Sequence, residues 1–512
     1  MNTLALVANL TRLLPPCVVL CTLGASLSGC AVITTNTWKN EAAIGGNESG
    51  TSRTSEQLSR DDLNQKSVYI GIAMSGGGSR AANFSAAVML ELEQLGLLDR
   101  ATVISSVSGS SLPAAYYGLF GQGKDASKWN SGTIKERMRT NFEASWLWRW
   151  FLPNNIAEYW ITNFSRSDIM ADVFDSNLFE KKKFSDMGKG QPRIVINSTE
   201  VSRGTRFTFT EQTFHKTLNS EIENYPIARA VMASSAFPGV FQDVTLRKYG
   251  APAQSKSSGG PSEDQTKDGY LHVIDGGPSD NLGTTTLIVA LHQIIEADSQ
   301  KQQASSPLQI PCFLVVVDAY PYALGSEFTP HPETRGLIDY FFDTNVANSS
   351  DALLSARRID LLNDLGLSAR ANNPEVAPFT QSKVSLIDKP AVSCAVWYIG
   401  LPRMLSKVFR PTDHPTSALD LETWELGTIV NSIPTRFTLV SGDEDHPIPA
   451  DRLQDKLFEA AHRLVEEDRF ESLGVQMRVK DGVCAWFHDK EIELAGCSDK
   501  DTHVSQDEHD RH

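Results

Sequence analysis

Val68-Tyr69-Ile70-Gly71-Ile72-Ala73-Met74 carries no charge and runs directly into Ser75-Gly76-Gly77-Gly78. An apolar run of that length, closed by a glycine turn, reads as a strand buried on both faces. Beyond the turn, Phe84, Val88, Leu92 and Leu95 fall on one helical stripe, with Gly96 placed as a C-cap. Thr102–Val107 reads as a second strand and leads through Gly109-Ser110-Ser111 into another helix. Strand, helix, strand, helix in that order is the pattern of parallel strands joined by crossover helices. The expected fold class is α/β: three αβα layers around a mainly parallel central sheet.

Further strands are expected at Arg193–Ser198, Arg206–Thr210, His272–Ile274, Phe313–Asp318, Ala395–Ile399 and Phe437–Val440, and a last amphipathic helix at about Asp451–Glu467. The 512 residues exceed one ordinary core. The reading is a catalytic domain at 68–320, with an aromatic-rich helical insertion at about 121–190 and a polar loop at about 250–268. A C-terminal α/β extension follows at 321–497, and 498–512 is a polar tail read as disordered.

Charge narrows the partners. The chain has 47 Lys+Arg against 62 Asp+Glu, a formal net charge of −15, and no basic block. Phosphate-backbone binding needs a basic patch, so a nucleic-acid partner is not expected, nor is a strongly cationic membrane face.

Arg12 is the only charge before Lys39, and an apolar run from Cys17 to Leu27 follows it. That run is about half of a bilayer span, so residues 1–29 read as a signal peptide. Leu27-Ser28-Gly29-Cys30 resembles a bacterial lipobox, which implies cleavage before Cys30 and acylation of its sulfur. Ala31, where an Asp is absent, favours outer-membrane sorting in lipoproteins of this kind. The expected location is the bacterial cell envelope, with secretion or the periplasm as the alternative. Residues 30–67 are polar and read as a disordered tether. Cys484 and Cys497 flank a short hairpin-like stretch and suit a periplasmic disulfide, whereas Cys312 and Cys394 lie in apolar runs and read as buried thiols. No spacing suggests a metal site, and no cofactor is implied.

Three segments carry chemistry. In Ser75-Gly76-Gly77-Gly78-Ser79-Arg80 the glycines leave backbone N–H groups open at a helix start, able to hold an anion or an oxyanion. A dinucleotide fingerprint wants an acid after the next strand, where Asp99 precedes it, and a P-loop wants Gly-Lys-Ser/Thr. A purely structural turn also satisfies these glycines. In Gly109-Ser110-Ser111-Leu112-Pro113 a strand-to-helix turn suits a nucleophile elbow. Ser111 alone among the neighbouring serines has Gly at minus two and begins the helix, so it is the candidate; a serine-rich loop is the plain alternative. Asp275-Gly276-Gly277 ends the strand His272–Ile274 and points an acid at the crest where α/β enzymes work, though as a lone tripeptide it is also a common turn.

Together these pieces resemble the patatin-like phospholipases and, more loosely, the cytosolic phospholipase A2 group. The matching segments are Ser75–Arg80, Val107–Leu112 and Asp275–Asn281, with softer matches at Ile196–Glu200 and Ala233–Phe241. The resemblance implies Ser111 as nucleophile, Asp275 as its base, the amides of Gly76, Gly77 and Gly78 as oxyanion hole, and Arg80 as a phosphate contact. Ala81 stands where the family has a last glycine. The implied activity is hydrolysis of a phospholipid or other lipid ester through an acyl-enzyme, by a protein held to the membrane by its N-terminal lipid; it assigns no protein partner. Acyl transfer to an alcohol, or an inactive lipid-binding lipoprotein, are the alternatives. His272, three positions before Asp275 on one strand, is expected on the opposite face and outside the chemistry. Four tryptophans at 146, 148, 150 and 160 suit either a lipid-facing rim or lid, or packing over the sheet.

Overall fold

The computed structural model describes residues 33–43, 63, 68–121, 126–188, 190, 192–250, 268–302, 310–322, 344–370, 373–410, 417–442, 446–472 and 474–497. The signal peptide, Cys30, the centre of the polar loop and the C-terminal tail lie outside these residues.

Nine strands form the main sheet: β1 Tyr69–Met74, β2 Val103–Val107, β3 Arg193–Glu200, β4 Arg206–Phe209, β5 Val244–Lys248, β6 Gly269–Ile274, β7 Cys312–Asp318, β8 Phe379–Val384 and β9 Val392–Gly400. The order is β8-β9-β7-β1-β2-β3-β6-β5, with β4 also paired to β3. The five strands β9, β7, β1, β2 and β3 run parallel, and antiparallel pairs close both sides. The helices used below are α1 Gly78–Gln94, α2 Ser111–Phe120, α3 Phe142–Trp150, α4 Pro153–Ile161, α5 Ile227–Ser234, α6 Gly277–Asp280, α7 Thr284–Gln302, α8 Thr344–Asp364, α9 Ala450–Glu466 and α10 Val479–His488.

Alternation along β1 divides the layers. Ile70, Ile72 and Met74 join a core with α1, α2, α9 and α10, while Tyr69 and Ala73 join a second core with α7 and the C-terminal half of α8. Helix α1 is rich in Ala and Leu, good helix formers, and is buried on nearly every side because α9 packs over its outer face. Gly96 ends that turn at φ 77°. On α9, Leu453, Leu457, Ala460, Ala461 and Leu464 make the stripe that meets it.

Four expectations are corrected. The 321–497 region does not merely follow the catalytic fold: β9 pairs with β7 in register and β8 with β9, so strands beyond residue 378 complete the central sheet. The expected strand Phe437–Val440 is irregular, because it finds no strand neighbour; its backbone receives α3 instead, Phe437 O accepting from Phe142 N at 3.1 Å. The start of the expected tether is docked: Glu41–Ala42 pairs with Ser220–Glu221, and buried Asn40 donates to Ser220 Oγ at 2.9 Å and to Arg247 O at 2.8 Å. Finally, Cys312 and Cys394 are directly opposed on β7 and β9 and form a disulfide. The Cys484–Cys497 bond is also present, tying α10 to the chain after it rather than closing a hairpin.

Candidate active site

Ser108 follows the last residue of β2 and has φ 52°. A side chain rarely takes this left-handed conformation, which costs about 1–3 kcal/mol and persists only where surrounding contacts enforce it. Those contacts are on both sides. Ser108 N donates to Ser234 Oγ on α5 at 2.8 Å, and Ser234 Oγ donates in turn to Asn197 O of β3 at 2.6 Å. Behind the turn, a Cβ on Gly109 would stand 2.0 Å from Gly78 O, so only glycine lets the elbow sit against the first glycine loop. Ser110 locks the same joint, donating to Ser75 O at 2.5 Å.

Asp275 leaves the end of β6 at the same crest, its N–H held by Ala236 O at 3.1 Å. Its carboxylate accepts from Gly277 N at 2.8 Å, and the Ser108 hydroxyl is a second donor group at its side. Burial pushes its pKa up to about 6, against the smaller opposing pull of those two donors. Leu354 of α8 contributes to the dry surroundings, lying against Gly277.

The structure therefore brings Ser108 to Asp275, not Ser111. The Ser111 hydroxyl is fully buried in the first turn of α2, 3.1 Å from Ser234 Oγ, where it braces the residue that holds the elbow. Ser108 keeps 7% exposure. Counting a glycine at minus two points to Ser111, whereas the serine beside Asp275 is Ser108, which has Ser106 at that place. The better signal was position: Ser108 is the first residue past the buried strand.

The glycine loop divides its amides. Gly76 N donates to Asn281 O at 3.1 Å and is thereby occupied. The amides of Gly77 and Gly78 have no acceptor among the described residues, and no side chain caps α1. They open beside Ser108 at the positive end of a seventeen-residue helix. Gly78 cannot be replaced: at φ 59° its Cβ would stand 2.3 Å from Arg436 O. The Arg80 guanidinium lies against Gly77. It is buried, with Nε on Ala319 O at 2.8 Å, Nη1 on Ile433 O and Nη2 on Thr435 Oγ1 at 3.0 Å. These bonds tie the glycine loop to distant chain.

His272 Nδ1 pairs with Asp243 Oδ2 at 2.5 Å on the exposed side of β6, which also raises the histidine pKa. An open cleft of about 760 Å³ lies elsewhere, near Tyr117, Arg193, Arg206 and Gln293, and neither Ser108 nor Asp275 lines it. Among the described residues, no group of three or more His, Cys, Asp or Glu is placed to hold a metal, and no helix is long and apolar enough to cross a membrane.

A search of curated proteins found no match. Among solved structures, the chain is similar to human GIVD cytosolic phospholipase A2, with 13% identity and a TM-score of 0.37, covering 80% of this chain and 64% of that one. A second structure of that enzyme, in complex with methyl γ-linolenyl fluorophosphonate, matches with 15% identity and TM-score 0.37 over 80% and 60% of the two chains. VipD from Legionella pneumophila matches with 12% identity and TM-score 0.22 over 77% and 67%. The chain thus spans less than two thirds of the human enzyme's length. The family model for patatin-like phospholipase matches residues 72–288, the stretch that holds the glycine loop, the elbow and Asp275. Residues 72–288 of this chain are a patatin-like phospholipase domain.

Proposed function

We propose that this protein is a membrane-anchored lipid acyl hydrolase in which Ser108 is the nucleophile and Asp275 its general base. The observation that carries the reading is the strained Ser108 elbow placed beside a buried carboxylate. Asp275 takes the hydroxyl proton as Ser108 Oγ attacks the ester carbonyl. The negative oxygen is received by the amides of Gly77 and Gly78, with that of Gly109 next to the nucleophile. Collapse breaks the ester C–O bond, and Asp275 returns the proton to the departing alcohol. Water then attacks the acyl-enzyme, Asp275 accepts its proton, and the fatty acid leaves as Ser108 is restored. With its pKa up at about 6, Asp275 is a stronger base than an ordinary carboxylate and still ionised at neutral pH.

Acylation at Cys30 supplies the anchor, in an outer-membrane lipoprotein of the bacterial envelope. Two disulfides support an oxidising compartment. A phospholipid or related lipid ester is the substrate class that suits such a tether. The test is labelling with a fluorophosphonate followed by peptide mapping, together with kinetics of two alanine variants. The modification is expected on Ser108, Ser108→Ala should lower kcat at least about 10³-fold, and Ser111→Ala should stay within about tenfold of the parent. A label on Ser111, or an active Ser108→Ala protein, overturns the assignment.

A further inference from the structure

The α3–α4 pair divides its aromatic residues between two environments. Trp146 is 7% exposed and packs edge-on against Phe241, which meets Phe437 in turn. Trp150 stacks at a tilt on Tyr159. On the outer side, Leu147, Trp148 and Phe151 are exposed at the end of α3, Trp148 at 73%. Helix α4 buries none of its residues, and it presents Ile156, Trp160 and Ile161 to solvent, Trp160 at 68%. Scattered single apolar residues need no explanation, but six on two consecutive helices do.

The N-terminal chain arrives at this same place. Ile33 is exposed, its N–H donates to Ile161 O at 3.0 Å, and Thr35 bonds Asn163 Oδ1 through both its N–H and its hydroxyl. Cys30 lies three residues earlier, a length of chain that reaches at most about 11 Å. An acyl group on Cys30 thus enters its membrane beside α4. The inner side of the pair leads to the catalytic crest: Phe437 N donates to Glu143 Oε1 at 3.0 Å, and the neighbouring Arg436 O accepts from Ser79 N at 2.6 Å.

We propose that the outward face of α3 and α4 is a second lipid-bilayer contact, acting with the Cys30 anchor to turn the mouth of the active site toward the membrane. The inference rests on the lipid-hydrolase and anchor readings above. Tryptophan favours the interface between headgroups and acyl chains, and an amphipathic helix lies in that plane with its apolar side buried. Within residues 142–161 the only charges are Glu143, Arg149 and Glu158. Arg149 is engaged with Ser176 Oγ at 2.6 Å. Insertion of apolar side chains, rather than attraction to anionic lipid, is therefore the mode of binding, and zwitterionic lipid suffices.

The test uses the chain from residue 31 onward, which retains every described residue and has no acylation site. Co-sedimentation with phosphatidylcholine vesicles is measured at low and high salt, beside hydrolysis of a soluble short-chain ester. The parent is expected to bind with little salt dependence. Trp148→Ser combined with Trp160→Ser should weaken partition at least about tenfold while soluble-ester hydrolysis is unchanged. Equal partition of variant and parent, absence of parent binding, or binding only to anionic vesicles each overturns the proposal. So does a variant that loses soluble-ester hydrolysis in parallel, which assigns the tryptophans to packing. A parent that binds vesicles but cleaves no ester leaves this surface standing and sinks the hydrolase reading instead.

Discussion

The catalytic crest and the α3–α4 pair are neighbours built on opposite terms. At the crest, backbone meets backbone: Gly109 and Gly78 touch through main-chain atoms, Ser108 is forced to a positive φ, and a carboxylate is held away from water. On the helical pair, large side chains are left in solvent with nothing pressing on them. The crest spends stability on preorganisation, since both a strained elbow and a buried acid are unfavourable in isolation. The pair leaves its apolar surface exposed, so its contribution comes only when something covers it. A site for chemistry tolerates almost no substitution, whereas a surface for lipid tolerates many and is sensitive to lost apolar area.

Four substitutions break or sharpen that contrast. Asp275→Asn has the largest expected effect, a fall in kcat of at least about 10³-fold. In the parent, activity should rise with pH through a midpoint near 6 as Asp275 ionises. Stability runs the other way. Because the folded pKa is raised from 3.8 to about 6, the carboxyl costs nothing below pH 3.8, and stability is lost as pH climbs through 6. The Asn variant should therefore be more stable at pH 7 by about 2–3 kcal/mol in denaturant titrations, the dead protein outlasting the live one. A variant that is both inactive and destabilised would argue that Asp275 is a structural acid.

Next in size is Gly78→Ala. Its Cβ meets Arg436 O and its φ is left-handed, so a loss of about 2 kcal/mol or more is expected, with kcat down about 10²-fold as the amides shift. The smallest effects on kcat belong to the helical pair, which answers in stability instead. Trp146→Ala should cost about 3 kcal/mol by opening a cavity against Phe241, while Trp148→Ala, two residues on, should stay within about 0.5 kcal/mol in water. Equal costs would remove the distinction between the two faces of α3.

How much was legible follows from which signals are local. Apolar runs bounded by glycine located β1, β2, β3 and β7 within a few residues, because burial on both faces writes itself into every position of a parallel strand. Asp275 was marked by the glycines that follow it and not by strand burial, since β6 is antiparallel and largely part-exposed. Phe437–Val440 has strand composition without a strand partner, and composition cannot report a missing neighbour. Aromatic residues at 146, 148, 150 and 160 announced an unusual segment, and the structure divides it: Trp146 and Trp150 pack inward, Trp148 and Trp160 face out.

By itself, the sequence determined the class of fold, the crest that carries the candidate site, and the acid placed on it, since each depends on contiguous residues. Tertiary structure alone decided which serine meets that acid. Ser108 and Ser111 share a loop and differ by less than a helical turn, and the choice between them is made by Gly78, Ser234 and Asn197, all distant in sequence. It also decided that Cys312 faces Cys394, 82 residues away, because strand register is a property of two segments together and is encoded in neither one.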